Sequence, residues 1–446
     1  MTMPDPYPVP VWTRPCHGAV SLPGSKSLTN RALLLAALTG QTVHLEGALF
    51  SRDSALLASN LRALGFGVEE EPDANRFTVK GGAGRIPRAE AELFVGNAGT
   101  AARFLTAFVC LHPAGSYSFD GDPEMRERPM RGLIESLEAL GARFSFGGKP
   151  GHFPFKVRTS GLRGGAWRVE ADASSQMLSA LMMVAPFAAE PVHILAPGVR
   201  PAFVEMTARM MQLFGAPICG DPQSGYEIGS HGAYACPAAR FAIEPDVTAA
   251  SYFMALPFVV GGEIFVQNMP RQSLQGDVAF ANVLRDLGAT IAVSDGGWSI
   301  RSSIPRSGPP RTFSFERFSD TFLTLAAIAP LFPFPIELTG IRHTRFQETD
   351  RIAAMATELR RAGAAVTELE DSLTVCPFPV DKAQPIQVRT YKDHRVAMAF
   401  GILGSRDRLG NGSPWIEIMD PACCGKTFPA FFARLNDLYL KCHDKI

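Results

Sequence analysis

Five times along the chain a helical pattern closes on a glycine and gives way to a strand-like run. The segments are Leu61-Arg-Ala-Leu-Gly65, Leu137-Glu-Ala-Leu-Gly141, Met211-Gln-Leu-Phe-Gly215, Leu284-Arg-Asp-Leu-Gly288 and Leu359-Arg-Arg-Ala-Gly363. A glycine suits the left-handed residue that ends a helix, and one such ending is commonplace. The spacing is not commonplace: the glycines lie 76, 74, 73 and 75 residues apart. A step that regular argues for one α/β unit repeated along the chain. A sixth ending is expected near residue 438, inside Phe431-Phe-Ala-Arg-Leu-Asn-Asp-Leu438. At 446 residues the chain exceeds one ordinary core, and six units divide into two lobes of three. Should the last unit lack room for its own strands, Trp12 to Leu22 supplies one. The chain then starts in one lobe, crosses at Pro23-Gly24, and returns near Phe241-Ala-Ile-Glu-Pro-Asp246. The expected division is residues 1–22 with 243–446 against residues 23–242, with the active site in the cleft between them.

Bulk composition narrows the function classes. Lys+Arg and Asp+Glu stand at 43 each, so a generally basic, nucleic-acid-coating surface is excluded and any anion site must be local. Eight cysteines form no C-x-x-C pair, and adjacent Cys423 and Cys424 suit neither a usual disulfide nor a zinc knuckle. Reduced thiols in a cytoplasm are expected. The first ten residues carry no signal-peptide pattern, and apolar stretches such as Phe322 to Leu331 are too short to span a bilayer.

Local chemistry gathers where apolar helices begin. Leu22-Pro-Gly-Ser-Lys-Ser-Leu-Thr-Asn-Arg31 is a turn, a capping serine (Ser25 or Ser27) and a helix start that carries Lys26 and Arg31. Cations there oppose the helix dipole unless an anion is bound among the free N–H groups. The alternative is a helix start with two solvated basic residues. The Walker spacing is missing. Gly96-Asn-Ala-Gly-Thr-Ala-Ala-Arg103 is a second glycine turn into a helix, with Thr100 as a cap. Arg126 and Arg128 precede a helix running to Leu140, and Ser174 or Ser175 caps the one after. In the second half, Arg351 follows Gln347-Glu-Thr-Asp350, while Arg395 and Lys426 stand at the mouths of apolar helices. Lys26, Arg31, Arg103, Arg128, Arg351, Arg395 and Lys426 thus predict two basic surfaces. Such surfaces repel unless a small, multiply anionic ligand set fills them, and ligand-driven closure follows.

With these motifs in order, the chain resembles the 5-enolpyruvylshikimate-3-phosphate synthase (3-phosphoshikimate 1-carboxyvinyltransferase) family of enolpyruvyl transferases. LPGSKSLTNRALLLAAL, GNAGTAARFL, RERPM, SSQ, EPD-x-x-AASYF, ETDRIAAMATEL, TYKDHR and GKTFP carry the resemblance, from about Val20 to Phe432. It implies a two-lobed α/β fold with three βαβαββ-type units per lobe, in agreement with the glycine spacing. It also implies transfer of the enolpyruvyl group of phosphoenolpyruvate to the 5-hydroxyl of shikimate 3-phosphate, in a cytoplasmic monomer using no metal or other cofactor. By the same resemblance, Lys26, Gly99, Arg128, Gln176, Arg351, Arg395 and Lys426 hold phosphoenolpyruvate. Lys26, Ser27, Arg31, Ser174, Ser175, Gln176, Asp320 and Gln347 meet shikimate 3-phosphate. Asp320 takes the general-base position, and Glu348 and Lys26 are the proton-transfer candidates.

Several positions depart from the family pattern. Gln347 stands where lysine is frequent, and His343 where asparagine is. Val199-Arg-Pro-Ala-Phe203 replaces a Ser-x-Pro-Tyr segment and offers Arg200, and Phe104 stands where many members have proline. Arg200, His343 or Arg345 is then expected to take over a phosphate contact. Two alternatives follow: another acceptor, such as a UDP-amino sugar or a nucleotide, or an inactive anion-binding paralogue. The loop from Gly115 to Met130 lacks the reactive cysteine of the UDP-sugar branch, and Cys110 reads as core.

Overall fold

A computed structural model describes residues 3–171, 174–230, 232–380 and 383–443. Each expected glycine ends its helix in the left-handed region, with φ of 95° at Gly65, 112° at Gly141, 80° at Gly215, 105° at Gly288 and 94° at Gly363. A short strand follows every one, from Gly67–Glu71 to Val366–Glu368.

One repeat shows the plan. Strand Glu90–Phe94, helix Gly99–Val109 and parallel strand Ser116–Asp120 form a βαβ crossover. Helix Arg131–Ala139 then leads to antiparallel strands Arg143–Phe146 and Phe155–Arg158, which complete a four-stranded sheet. Four other sheets repeat this order, and a sixth has three strands.

The chain divides into two compact units, residues 1–23 with 245–446, and residues 24–244. Local hydrogen bonding places the crossings beside Pro23 and Glu244. In one unit the Asp246 N–H donates to the Pro23 carbonyl; in the other the Ser25 N–H donates to the Glu244 carbonyl. Strand Arg240–Ala242 pairs in parallel with Thr42–Glu46, so the last strand of unit 24–244 completes its first repeat. The N-terminal segment serves two sheets rather than one. Cys16–Val20 pairs with Gly262–Gln267, in the first repeat of its unit, whereas Tyr7–Pro8 supplies the third strand of the final sheet. The Trp12–Leu22 stretch therefore does not fill the last repeat. That repeat has only Ile386–Val388 and Ile416–Ile418 of its own, and the chain preceding Trp12 completes it.

Helix character alternates within a repeat. The first helix is buried on all sides: Gly99–Val109, Phe322–Ile328 and His394–Gly404 are buried at every residue, and Val247–Val260 at all but the last. A helix of that kind belongs inside a core. The second helix is half-polar, as in Arg131–Ala139, and covers the sheet. Each buried helix leaves its first turn as the place where polar chemistry enters the core. Among the described residues, no helix is long and apolar enough to cross a membrane.

Candidate active site

In unit 24–244 the first buried helix, Lys26–Leu38, is capped by Ser25, whose side chain accepts from the Leu28 N–H. The turn before it demands glycine, since a Cβ on Gly24 would stand 1.9 Å from the Gly47 carbonyl oxygen. The Lys26 Nζ lies 3.9 Å from Asp53 Oδ2. Arg31, five residues on, is 1% exposed. Its Nε donates to Thr207 Oγ1 at 2.8 Å, and its other nitrogens donate to the Ser27 and Phe203 carbonyls and to Ser179 Oγ. The rings of Phe104 and Phe203 lie 5.3 Å and 5.9 Å from the guanidinium carbon. Two of the departures from the family pattern therefore wall in the same cation. Burial lowers the Arg31 pKa to about 9, with hydroxyls and carbonyls as its hydrogen-bond partners among the described residues.

The second buried helix begins at Gly99, after Ala98 and without a side-chain cap. Thr100, expected as the cap, instead accepts from Asn30 Nδ2 at 3.0 Å and joins the first two buried helices. Arg103 donates to the Gly99 carbonyl at 3.2 Å and to the Pro129 carbonyl at 2.6 Å. Arg128 donates to the backbone and side-chain oxygens of Asn97, at 3.3 Å and 3.2 Å. The bare Cα of Gly99 separates these guanidinium groups. A Cβ there would stand 2.8 Å from one Arg128 nitrogen and 2.9 Å from one of Arg103. The Arg128 Nε and the Gln176 Oε1 are buried and have no hydrogen-bond partner among the described residues. Groups of this kind suit a polar ligand. Ser174 caps the third helix by accepting from the Gln176 N–H, and Ser175 is its first residue. Arg200 lies in the turn before helix Ala202–Leu213. Arg126 is spent on Asp120, at 2.7 Å.

Gly99→Ala is accordingly expected to leave stability nearly unchanged, because flexible side-chain ends give way. It should raise the Michaelis constant for an anionic substrate at Arg128 by roughly tenfold or more, the worth of one charge-assisted hydrogen bond. Steady-state kinetics checks this; an unchanged constant would place the anion elsewhere.

The other unit holds a denser cluster. Arg351, 1% exposed, opens helix Arg351–Arg361. Its Nε donates to Asp393 Oδ2 at 2.7 Å, one terminal nitrogen reaches Asp320 at 3.1 Å and Gln347, and the other reaches Glu348 at 2.8 Å. Arg395 donates to the second oxygen of Asp320 at 2.7 Å, and the Lys426 Nζ to the second oxygen of Glu348 at 2.9 Å. Three cations thus face three carboxylates. Burial opposes the charge on Arg351, but Asp393, Glu348 and Asp320 outweigh it and hold its pKa above the usual value. Burial likewise opposes the charge on Arg395, and Asp320 is the largest influence raising it.

Arg351 donates to Asp393, Asp320, Glu348 and Gln347 and so holds these side chains in place. This arrangement corrects two expectations. The cations of this unit do not await a ligand for neutralisation, because carboxylates already neutralise them. Lys426 ends the 3-10 turn Pro421–Lys426, five residues before the first residue of helix Phe431–His443, so it is not at a helix mouth. Arg345 is also unsuited to a phosphate: Asp350, Glu368 and the Leu369 and Glu370 carbonyls take up its guanidinium. His343 Nε2 lies 2.7 Å from Ser319 Oγ, next to Asp320. Cys110 is core, its thiol pushed up to about 12 by burial. Asp393 escaped notice in the sequence, although as the cap of helix His394–Gly404 it sits inside the TYKDHR motif. Among the described residues, no group of His, Cys, Asp or Glu is placed to hold a metal ion.

Known proteins are similar to this one along almost the whole chain. A protein of Opitutus terrae named 3-phosphoshikimate 1-carboxyvinyltransferase is 48% identical over 445 residues, covering 99% of each chain. One of Nostoc punctiforme with the same name is 40% identical over 432 residues, covering 96% of this chain and 98% of its own. The solved EPSP synthase of Acinetobacter baumannii shares the fold, with a TM-score of 0.78 over 97% of both chains at 21% identity. With the family pattern of EPSP synthase (3-phosphoshikimate 1-carboxyvinyltransferase) matching residues 12–435, this chain belongs to that family.

Proposed function

We infer that the protein transfers the enolpyruvyl group of phosphoenolpyruvate to the 5-hydroxyl of shikimate 3-phosphate and releases phosphate, a step of aromatic amino acid biosynthesis. The observation that carries this reading is the pair of carboxylates Asp320 and Glu348, each held between two cations. Addition to the vinyl group needs a base for the hydroxyl proton and an acid for the vinyl carbon. Elimination of phosphate then needs cations for the departing charge.

Asp320 takes the hydroxyl proton. Glu348 and Lys426, 2.9 Å apart, are placed to pass a proton to and from the vinyl carbon, with Lys26 as the other donor. Lys26, the Gly99 turn, Arg128, Gln176, Arg395 and Lys426 hold phosphoenolpyruvate, while Arg351 fixes Glu348 and Asp320 beside it. Ser27, Ser174, Ser175, Gln176 and Gln347 meet shikimate 3-phosphate. Arg31 answers its carboxylate, since a buried guanidinium with no carboxylate partner among the described residues gains most from an incoming one.

The direct test incubates the protein with both substrates and weighs the products. Shikimate 3-phosphate should gain one enolpyruvyl group for each phosphate released; release without that gain in mass would contradict the reading. The acceptor phosphate supplies a finer test. Arg200 is proposed to compensate for the lysine absent at Gln347, because a guanidinium binds phosphate bidentately. Arg200→Ala is expected to raise the Michaelis constant for shikimate 3-phosphate by roughly 10–100-fold, leaving that for phosphoenolpyruvate nearly unchanged. Gln347→Lys should partly restore it. Normal acceptor kinetics in the single variant would return the phosphate to His343.

A further inference from the structure

Just before the cap of helix His394–Gly404 the backbone takes a conformation that its residues do not favour. Tyr391 and Lys392 have φ of 55° and 56°, and the Asp393 N–H donates to the Thr390 carbonyl at 2.8 Å. Positive φ at both central residues is the mark of a type I′ turn, whose usual occupants are asparagine and glycine. A bulky aromatic residue is costly there, and such a conformation persists only where its surroundings hold it. A holder is present. The Tyr391 hydroxyl donates to Glu358 Oε1 at 2.8 Å, while the other oxygen of that carboxylate accepts from Arg361. Glu358 is 0% exposed. Burial first, and then the bond to Glu358, push the Tyr391 phenol up to about 12, so it remains a donor near neutral pH.

Glu358 and Arg351 lie seven residues apart on helix Arg351–Arg361, two turns along one face. That face grips the segment twice, once through Tyr391 and once through Asp393, whose Oδ2 accepts from Arg351 Nε at 2.7 Å. Asp393 in turn caps the next helix, its Oδ1 accepting from the Arg395 N–H at 2.8 Å. The Arg395 side chain reaches Asp320. We propose that Tyr391 is a positioning residue for the transfer reaction: its bond to Glu358 holds the type I′ turn in shape, so that Asp393 meets Arg351 and Arg395 is aimed at phosphoenolpyruvate. The proposal rests on the reading of Arg395 as a phosphoenolpyruvate contact. Neither Tyr391 nor Glu358 takes part in the chemistry; each acts through the turn. Without the anchor, Tyr391 and Lys392 relax toward negative φ and carry Asp393, and through its cap Arg395, out of place.

Tyr391→Phe keeps the ring and removes the hydroxyl. It is expected to raise the Michaelis constant for phosphoenolpyruvate about tenfold and to lower kcat about 3–10-fold. The constant for shikimate 3-phosphate should stay within about twofold of the parent. A variant that merely folded less well would lose kcat and keep both Michaelis constants. Tyr391→Asn lacks the hydroxyl too, but asparagine tolerates positive φ, so it should recover most of what Tyr391→Phe loses. Glu358→Met should match Tyr391→Phe, and the two changes together should cost no more than either alone. Unchanged kinetics in Tyr391→Phe would overturn the proposal, as would an asparagine variant no better than the phenylalanine one. Losses that multiply in the double variant would do the same. The two Tyr391 variants decide the matter even should Glu358→Met fail to fold. Arg395→Gln is the control. If it leaves the phosphoenolpyruvate constant unchanged, the reading of Arg395 fails; if it raises that constant while Tyr391→Phe does not, only the role of the turn fails.

Discussion

Replacing Arg351 by methionine is expected to lower folding stability by about 3–5 kcal/mol, the range for breaking a buried ion network from one side. The guanidinium touches Asp393, Asp320 and Glu348, and its side chain is 2% exposed. Methionine fills much of the volume but leaves the fully buried Asp393 carboxylate with the Arg395 N–H as its remaining close donor. The loss should exceed that of any other single cation in the site, because Arg395 and Lys426 each meet fewer of these carboxylates. Urea unfolding of parent and variant measures it. A change below about 1 kcal/mol would mean that the network contributes no more than exposed pairs do. The same variant should also lose turnover, since Asp320 and Glu348 are no longer held.

Asp320→Asn is expected to cut kcat by about 10²–10⁴-fold, the usual worth of a positioned base, with Michaelis constants changed far less. Asparagine preserves the size of the side chain and can still accept from Arg351 or Arg395, so substrates should bind. What it cannot do is take a proton. A variant with kcat within a few-fold of the parent would move the base role elsewhere, with Glu348 as the next carboxylate in the cluster. Single-turnover measurements separate the chemical step from product release and guard against a slow release masking the loss.

The repeat was legible because it is local: a glycine at a helix end needs φ above zero whatever surrounds it, and a residue-by-residue pattern records that need. Lys26, Gly99, Ser174, Arg351 and Arg395 were found for a similar reason, each lying in the first turn of a helix or at its cap. The pairing of charges was not legible in the same way. Asp393, Asp320 and Arg395 meet their partners across 42, 31 and 75 residues of sequence, and a row of cations read without those partners looks bare. The partners of Arg345 were missed on the same ground, Glu368, Leu369 and Glu370 lying 23, 24 and 25 residues further along. The destination of the N-terminal strands escaped too, since Tyr7–Pro8 is two residues long and gives no periodicity to read. Phe104 and Phe203 stood out only as departures. That both face Arg31 follows from the packing of three helices and from nothing in their own neighbourhoods.

The measurement that bears most directly on the account compares acceptors under one condition. Phosphate release from phosphoenolpyruvate would be followed with shikimate 3-phosphate, UDP-N-acetylglucosamine or UMP as the second substrate, in the parent and in Asp320→Asn. The account predicts release with shikimate 3-phosphate alone, lost in the variant. Release with a uridine nucleotide and none with shikimate 3-phosphate would contradict it, and would make the substitutions at His343, Gln347 and Phe203 the marks of a different acceptor.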